Sequence, residues 1–245
     1  NIGPALKSGR ISDIAIHPEN QNIWYVTVGS GGVWKTVNAG TTWQPLTDNQ
    51  SFYSTGSITI DPNNTNTIWL GTGENVGGRH VGVGKGVFLS LDGGKTWKNK
   101  GLNKSEHISK IIVNKKNSNN VFVASQGPLW SSGGDRGLYK SIDGGDTWKN
   151  MGLEKTARIA RVVIHPNNDN IIFVAALGHT YGPQKERGIY RTTNGGKTWE
   201  QVLFIDENTG GIDIAIDRNN PDFLIASMWQ ININTWGLNS GGESG

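Results

Sequence analysis

A pattern of eight residues, Ser/Thr-x-Asp/Asn-x-Gly-x-Thr-Trp, occurs four times, at 36–43, 90–97, 141–148 and 192–199. Its third positions, Asn38, Asp92, Asp143 and Asn194, are separated by 54, 51 and 51 residues. A repeat on that period constrains the fold more than any other feature, because each copy must belong to one supersecondary unit stacked on the next. Every position suits a tight turn between two strands. Asp or Asn can bond to nearby backbone N–H groups, Gly supplies positive φ, and Thr-Trp opens a new strand with a large apolar anchor: Trp43, Trp97, Trp148 or Trp199.

A second repeat precedes each turn. Residues 14–18, 58–62, 111–115, 162–166 and 214–218 read as apolar or alternating strands that run into Asn-rich turns, and a second apolar strand follows each, at 23–27, 68–72, 121–125, 171–176 and 223–227. A third strand enters the eight-residue turn, and Thr-Trp starts a fourth. Four strands on a period of about 50 residues make a propeller blade. The chain is therefore expected to be an all-β propeller of four-stranded antiparallel blades near 10–48, 54–100, 107–152 and 158–204, with a partial fifth at 210–236. Closed rings have about 4 to 8 blades, so four and a half leave an open edge, to be covered by remaining blades or a partner chain. The rival reading is a five-bladed ring that residues 231–236 and 1–6 complete.

Composition agrees with many short strands: 35 of 245 residues are Gly, 10 are Trp and 35% are hydrophobic. The absence of cysteine excludes a disulfide framework and thiolate metal sites. A formal charge of +3, dispersed along the chain, argues against nucleic acid. No apolar run approaches the ~18 residues that span a membrane, and a start at Asn1 without a leader reads as a mature secreted chain or an excised piece. The five histidines lie apart, so no metal is expected. Calcium in the Asp/Asn clusters at 61–66 and 167–170 is the one cofactor considered, and ordinary turn chemistry explains those clusters first. Residues 71–86 read as a flexible Gly-rich loop with no following helix, not a phosphate cradle.

The eight-residue turn is similar to the Asp-box, or bacterial neuraminidase repeat. With Ser30-Gly-Gly-Val-Trp-Lys-Thr36, Gly71-Thr-Gly-Glu74 and Gly134-Asp-Arg-Gly-Leu-Tyr139, the chain resembles the sortilin-like (VPS10-type) Asp-box propellers of bacterial secreted proteins. Sialidases and xyloglucan-cleaving glycosidases share that turn, so the resemblance implies a fold more than an activity. Xyloglucan-cleaving propellers carry a catalytic Asp directly before the small-residue run of the first blade, where this chain has Gly29. Sialidases use an early Arg-Ile-Pro motif, and here Arg10-Ile11 is followed by Ser12.

Repeat alignment separates scaffold from candidate site. Trp24 and Trp69 align with Phe122 and Phe173, and Trp34 aligns with Phe88, Tyr139 and Tyr190, so these tryptophans and the four turn anchors are expected in the core. Trp130, Trp229 and Trp236 have no counterparts. They fall in connections on the face opposite the repeat turns, where aromatics can stack on sugars. Seven residues before each inner-strand turn stand Arg10, Ser54, His107, Arg158 and Gly210, expected to converge at the channel mouth, where guanidinium groups suit a carboxylate or sulfate. Asp13, Ser57, Lys110, Arg161 and Asp213 should line the channel and neutralise one another. Lys85, Arg136 and Arg187 recur before a Gly and read as scaffold paired with carboxylates. His179 and Tyr181 are non-repeating candidates for ligand binding, and Glu74, Glu106 and Asp135 for catalysis, since glycoside hydrolysis needs two carboxyl groups across the bond. Arg79, His80, Gln126, Glu186 and Gln230 complete the polar set of that face. The resulting expectation is a non-catalytic extracellular or cell-surface module that binds a glycan or a protein segment. The alternative is an exo-acting glycoside hydrolase, sialidase-like or xyloglucanase-like, on anionic or plant or algal polysaccharide.

Overall fold

The computed structural model describes residues 9–75 and 81–242, so Arg79, His80 and the 1–6 segment of the rival ring lie outside the described residues. Blade one contains β1 (Ile11–Ile16), β2 (Trp24–Val28), β3 (Gly32–Thr36) and β4 (Gln44–Pro45); blade two contains β5 (Thr55–Asp61), β6 (Asn64–Thr72), β7 (Val87–Ser90) and β8 (Lys98–Asn99). Blade three is β9 (Ile108–Asn114), β10 (Asn117–Ser125), β11 (Gly137–Ser141) and β12 (Lys149–Asn150); blade four is β13 (Ile159–Ile164), β14 (Ile172–Ala176), β15 (Gly188–Thr192) and β16 (Glu200–Leu203). A three-stranded blade five holds β17 (Thr209–Ile216), β18 (Leu224–Ile233) and β19 (Leu238–Ser240). Each sheet is antiparallel with its strands in chain order. The result is an all-β propeller arrangement of successive blades.

The four repeat turns share one hydrogen-bond circuit. The hydroxyl of Thr36, Ser90, Ser141 or Thr192 donates to the Oδ1 of Asn38, Asp92, Asp143 or Asn194 at 2.9, 2.7, 2.7 and 2.9 Å. That Oδ1 accepts the N–H of Thr42, Thr96, Thr147 or Thr198 at 2.9, 2.9, 2.9 and 3.0 Å. Each turn also docks on the first hairpin of its own blade: the N–H groups of Ala39, Gly93, Gly144 and Gly195 donate to the carbonyls of Asn22, Asn66, Asn119 and Asn170 at 3.0, 2.8, 3.0 and 2.9 Å. Both turns therefore lie on one face, and the connections from second to third strands emerge on the other.

Hydrogen bonds from Thr96 and Ser90 hold the Asp92 carboxyl well below the usual carboxylate range, and those from Thr147 and Ser141 do the same for Asp143. A folded value below the unfolded one contributes stability at neutral pH, lost as the pH falls from about 4 toward the lowered value. Asn38 and Asn194 close the same circuit without a charge. The double variant Asp92→Asn/Asp143→Asn is therefore expected to keep its neutral-pH melting temperature while losing part of the acid dependence between about pH 4 and pH 2. An unchanged acid profile would show that these carboxylates do not govern it.

The core lies between blades. Tyr25 and Val33 of blade one meet Ile58, Ile68, Leu70 and Phe88 of blade two; Trp69 meets Ile111, Val121 and Val123 of blade three; Phe122 and Leu138 meet Val162, Ile172 and Val174 of blade four. Trp148 and Trp199 add an indole N–H donated back to the preceding blade, to Lys100 O at 2.6 Å and Met151 O at 2.8 Å.

The ladder corrects the blade-one alignment. Trp24 faces Thr36 as Ile68 faces Ser90, so Trp24 matches Ile68, and Tyr25 is the counterpart of Trp69, Phe122 and Phe173. A shift of one residue moves a side chain to the opposite face of a strand. Of the seven tryptophans expected in the core, Trp69 is fully buried at 2% exposure, while Trp24, Trp34, Trp97, Trp148 and Trp199 are half-buried. Trp43 is 40% exposed, because no blade precedes blade one among the described residues. Trp229 also differs from expectation: it lies inside β18, not in a loop, and its indole N–H donates to Ser240 Oγ at 2.9 Å.

The described ends of the Gly-rich stretch at 71–86 contain close chain crossings. A Cβ at Gly73 would stand 1.7 Å from Glu106 O, and one at Gly84 would stand 2.2 Å from Gly73 N, both backbone atoms. Glycine is required there to let three segments meet.

Candidate functional site on the loop face

The inner-strand positions expected at the channel mouth are equivalent in three dimensions. The carbonyls of Arg10, Ser54, His107 and Arg158 accept from the N–H groups of Gly29, Gly73, Gln126 and Leu177 at 2.8, 2.9, 2.8 and 2.8 Å, and Gly210 pairs with Trp229. Their side chains do different things. Arg10, half exposed, forms an ion pair with the buried Glu74, its Nε donating to Oε1 at 2.6 Å. Ser54 donates to the carbonyls of Gly29 and Gly82. His107 is buried, and desolvation, reinforced by Arg158 and Arg136, lowers its pKa to about 4, so it is neutral at physiological pH.

The alternating charges of the inner strands pair with one another. Lys110 contacts Asp13 at 3.1 Å, and Arg161 contacts Asp213 at 2.7 Å. Arg136 and Arg187 are scaffold, but their partners are carbonyls, not the expected carboxylates. Arg136 donates to Pro128 O and Ser131 O at 2.6 and 2.9 Å; Arg187 donates to Asn208 O, His179 O and Gly182 O at 2.7, 2.6 and 3.1 Å. Each guanidinium pins its own long loop. A planar fork can hold several carbonyls at once, which suits arginine to pinning the connections of blades three and four.

The pinned loops present the aromatics. His179 and Tyr181 stack at 4.3 Å with ring planes 14° apart, and Trp130 lies 5.9 Å from Tyr181. Trp130 and Tyr181 are 50% and 46% exposed. Trp130 walls a cleft of about 720 Å³ with Glu106, His107, Val81 and Leu129. Tyr181 and His179 wall a second of about 430 Å³ with Arg136, Tyr139 and Glu154. Trp236, 85% exposed, sits at the turn between β18 and β19.

The carboxylates divide by role. Asp135 is held by the segment that precedes β9, its Oδ2 accepting from Lys104 N at 2.9 Å. Glu106 is half-buried and opens to the larger cleft. Glu74 reaches across to blade one: a Cβ placed on Gly29 would stand 2.6 Å from Glu74 Cδ. The carboxyl group absent at position 29 is thus brought near by a residue of the next blade, and Gly29 itself was the one trace of it in the sequence. Sequence reasoning passed over Ser105 and Thr180, both fully buried near this face with hydroxyls that lack partners. Asp61 caps its own turn, Oδ1 accepting from Asn63 N at 2.8 Å. Among the described residues no group of three or more His, Asp or Glu is placed to hold a metal, and no helix is long and apolar enough to cross a membrane.

The chain is similar to several xyloglucanases. It is 26% identical over 204 residues to a probable oligoxyloglucan-reducing end-specific xyloglucanase of Neosartorya fischeri, covering 79% of this chain and 24% of the relative. It is 25% identical over 227 residues to the xyloglucanase Xgh74A of Acetivibrio thermocellus, covering 77% and 25%. The chain therefore spans about a quarter of the length of these relatives. The GH74 enzyme of Niastella koreensis superposes with a TM-score of 0.68 at 20% identity, over 93% of this chain and 37% of that one, a likeness of fold. The profile of the Sortilin-Vps10 family, described as sortilin, neurotensin receptor 3, matches residues 85–229, more than half of the sequence. Blades that match that profile from β7 into β18 make this chain a member of the Sortilin-Vps10 family.

Proposed function

We propose that these blades form the polysaccharide-engaging part of a larger carbohydrate-active propeller protein of the glycoside hydrolase type, with its substrate lying across the loop face. The observation that carries this reading is the larger cleft, where exposed Trp130 and the Glu106 carboxyl share one groove. An indole offers a flat apolar wall to a sugar ring, and a carboxyl group beside it can serve as acid or base at a glycosidic bond. The similarity to xyloglucanases makes a xyloglucan-type polymer the first substrate to test. Glu74 is the second carboxyl, placed beside the backbone at Gly29.

Incubation with xyloglucan and its oligosaccharides, read by release of reducing ends, tests the proposal. Turnover should fall at least about 100-fold in Glu106→Gln, as expected for loss of an acid–base group, and Trp130→Ala should weaken binding. Binding that needs Trp130 without any turnover would favour the second reading, a recognition module. That reading draws on the engagement of Glu74 by Arg10 and of Asp135 by Lys104 N. Absence of both binding and turnover would reject the carbohydrate reading.

We also infer that further blades cover blade one. Ile14, Ile16, Trp24, Val26, Trp34 and Trp43 match Ile58, Ile60, Ile68, Leu70, Phe88 and Trp97, which the preceding blade covers in blade two. Asp-box usage, a bacterial source and an extracellular or cell-surface location, where a polysaccharide is met, belong to the same reading.

A further inference from the structure

We propose that Arg158 anchors an anion pocket in which the carboxylate of an acidic sugar is held. The inference rests on the carbohydrate reading and narrows it to polymers that carry uronic acids. Arg158 is 4% exposed, yet among the described residues it enters no ion pair, and its Nη1 is shielded from solvent without a hydrogen-bond partner. Arg187 is buried as deeply, and its Nε also lacks a partner, but the carbonyls of His179, Gly182 and Asn208 receive its terminal donors. Arg158 has no such scaffold employment. A buried cation left uncompensated is costly, and a missing anion is the direct remedy.

Other buried polar atoms of the same face are also unsatisfied. His107 Nδ1, Ser105 Oγ, Arg136 Nε, His179 Nδ1 and Thr180 Oγ1 are buried atoms without partners. All belong to segments of blades three and four that lead into an inner strand or join a second strand to a third, on the loop face. Buried polar groups are almost always bonded in native proteins, so a cluster of exceptions marks a place where something else binds. Arg158 Nη1, Arg136 Nε and the hydroxyls of Ser105 and Thr180 can all donate, which suits a ligand made of acceptors, and the Glu106 carboxylate at the larger cleft bears on Arg136. His107 walls the larger cleft and Arg136 and Tyr181 wall the smaller, and Arg158 interacts electrostatically with all three. A guanidinium fork matches a carboxylate in geometry. The stacked His179–Tyr181 pair beside it offers a face for a ring attached to that carboxylate, which a free inorganic anion would leave unused.

Titration calorimetry with trigalacturonate, and with a neutral xyloglucan oligosaccharide of similar size, tests the proposal. Trigalacturonate should bind, Arg158→Gln should weaken it on the order of 30-fold, as for loss of a charge-assisted hydrogen bond, and Arg158→Lys should recover part. Neutral-sugar binding should be unchanged in both variants. Arg158→Gln should melt no lower than the parent, and trigalacturonate should raise the melting temperature of the parent alone. A lower melting temperature with unaltered trigalacturonate affinity would assign Arg158 to structure and overturn the proposal. Should Arg158→Gln fail to fold, Tyr181→Ala on the exposed loop must show the same selective loss. Binding of the neutral sugar alone overturns the acidic-sugar pocket and leaves the carbohydrate reading standing. If neither sugar binds, with or without capture of a peptide that ends in a free carboxylate, both fall.

Discussion

Gly73→Ala is expected to lose about 4 kcal/mol or more of stability, enough to leave a marginal domain largely unfolded. Gly73 has φ +84°, and an alanine in the left-handed region costs roughly 1–2 kcal/mol by itself. The larger part is steric. The new Cβ would sit 1.7 Å from Glu106 O and 2.9 Å from His107 Cα, and backbone atoms cannot turn aside as a flexible side chain can. Gly133 provides the control, since its φ of +90° is similar and no atom lies within 4 Å of an added Cβ. Gly133→Ala should cost only about 1–2 kcal/mol. Denaturant unfolding of the two variants separates the contributions, and equal losses would refute the close approach. Because Glu106 and His107 wall the larger cleft, any Gly73→Ala chain that does fold should also lose ligand there.

Trp69→Ala should cost about 3–5 kcal/mol, the range for removing a large buried aromatic. Its ring is 2% exposed, packs edge-on against Trp148 at 6.4 Å and 82°, and lies where a Cβ on Gly145 would come within 2.8 Å of it. The Nε1 atom has no partner, so the loss is one of packing and not of hydrogen bonding. Trp43→Ala removes a ring of the same size but 40% exposed, resting on Trp24 at 6.4 Å, and should cost under about 1.5 kcal/mol. In a longer protein with a blade seated on blade one, Trp43→Ala should become as costly as Trp97→Ala. Equal costs in the short and the long chain would mean that no blade sits there.

These contrasts show what could be read in advance. The propeller and its strand order follow from a turn whose hydrogen bonds close within the repeat itself, such as Ser141 Oγ to Asp143 Oδ1 and Thr147 N to Asp143 Oδ1, and the partial fifth blade from the strand pair at 214–218 and 223–227, which that turn does not follow. The pairing of Asp13 with Lys110 and of Arg161 with Asp213 agrees with the alternation of charge along the inner strands. Trp24 was misplaced because blade one offers two adjacent aromatics, Trp24 and Tyr25, and only the ladder to β1 and β3 says which one faces blade two. Trp229 was misplaced because β18 runs on to Ile233, past the length of the other second strands.

The amino-acid order by itself determined the architecture, since each blade is built from contacts local in sequence and repeated often enough to be recognised. Tertiary structure alone decided the chemistry of the loop face. Arg10 meets Glu74 across 64 residues, and Arg158 enters no ion pair among the described residues although Glu154 lies four positions before it in sequence. Such outcomes depend on which side chains neighbouring blades bring to the same few cubic ångströms, and a period of about 50 residues carries no record of that.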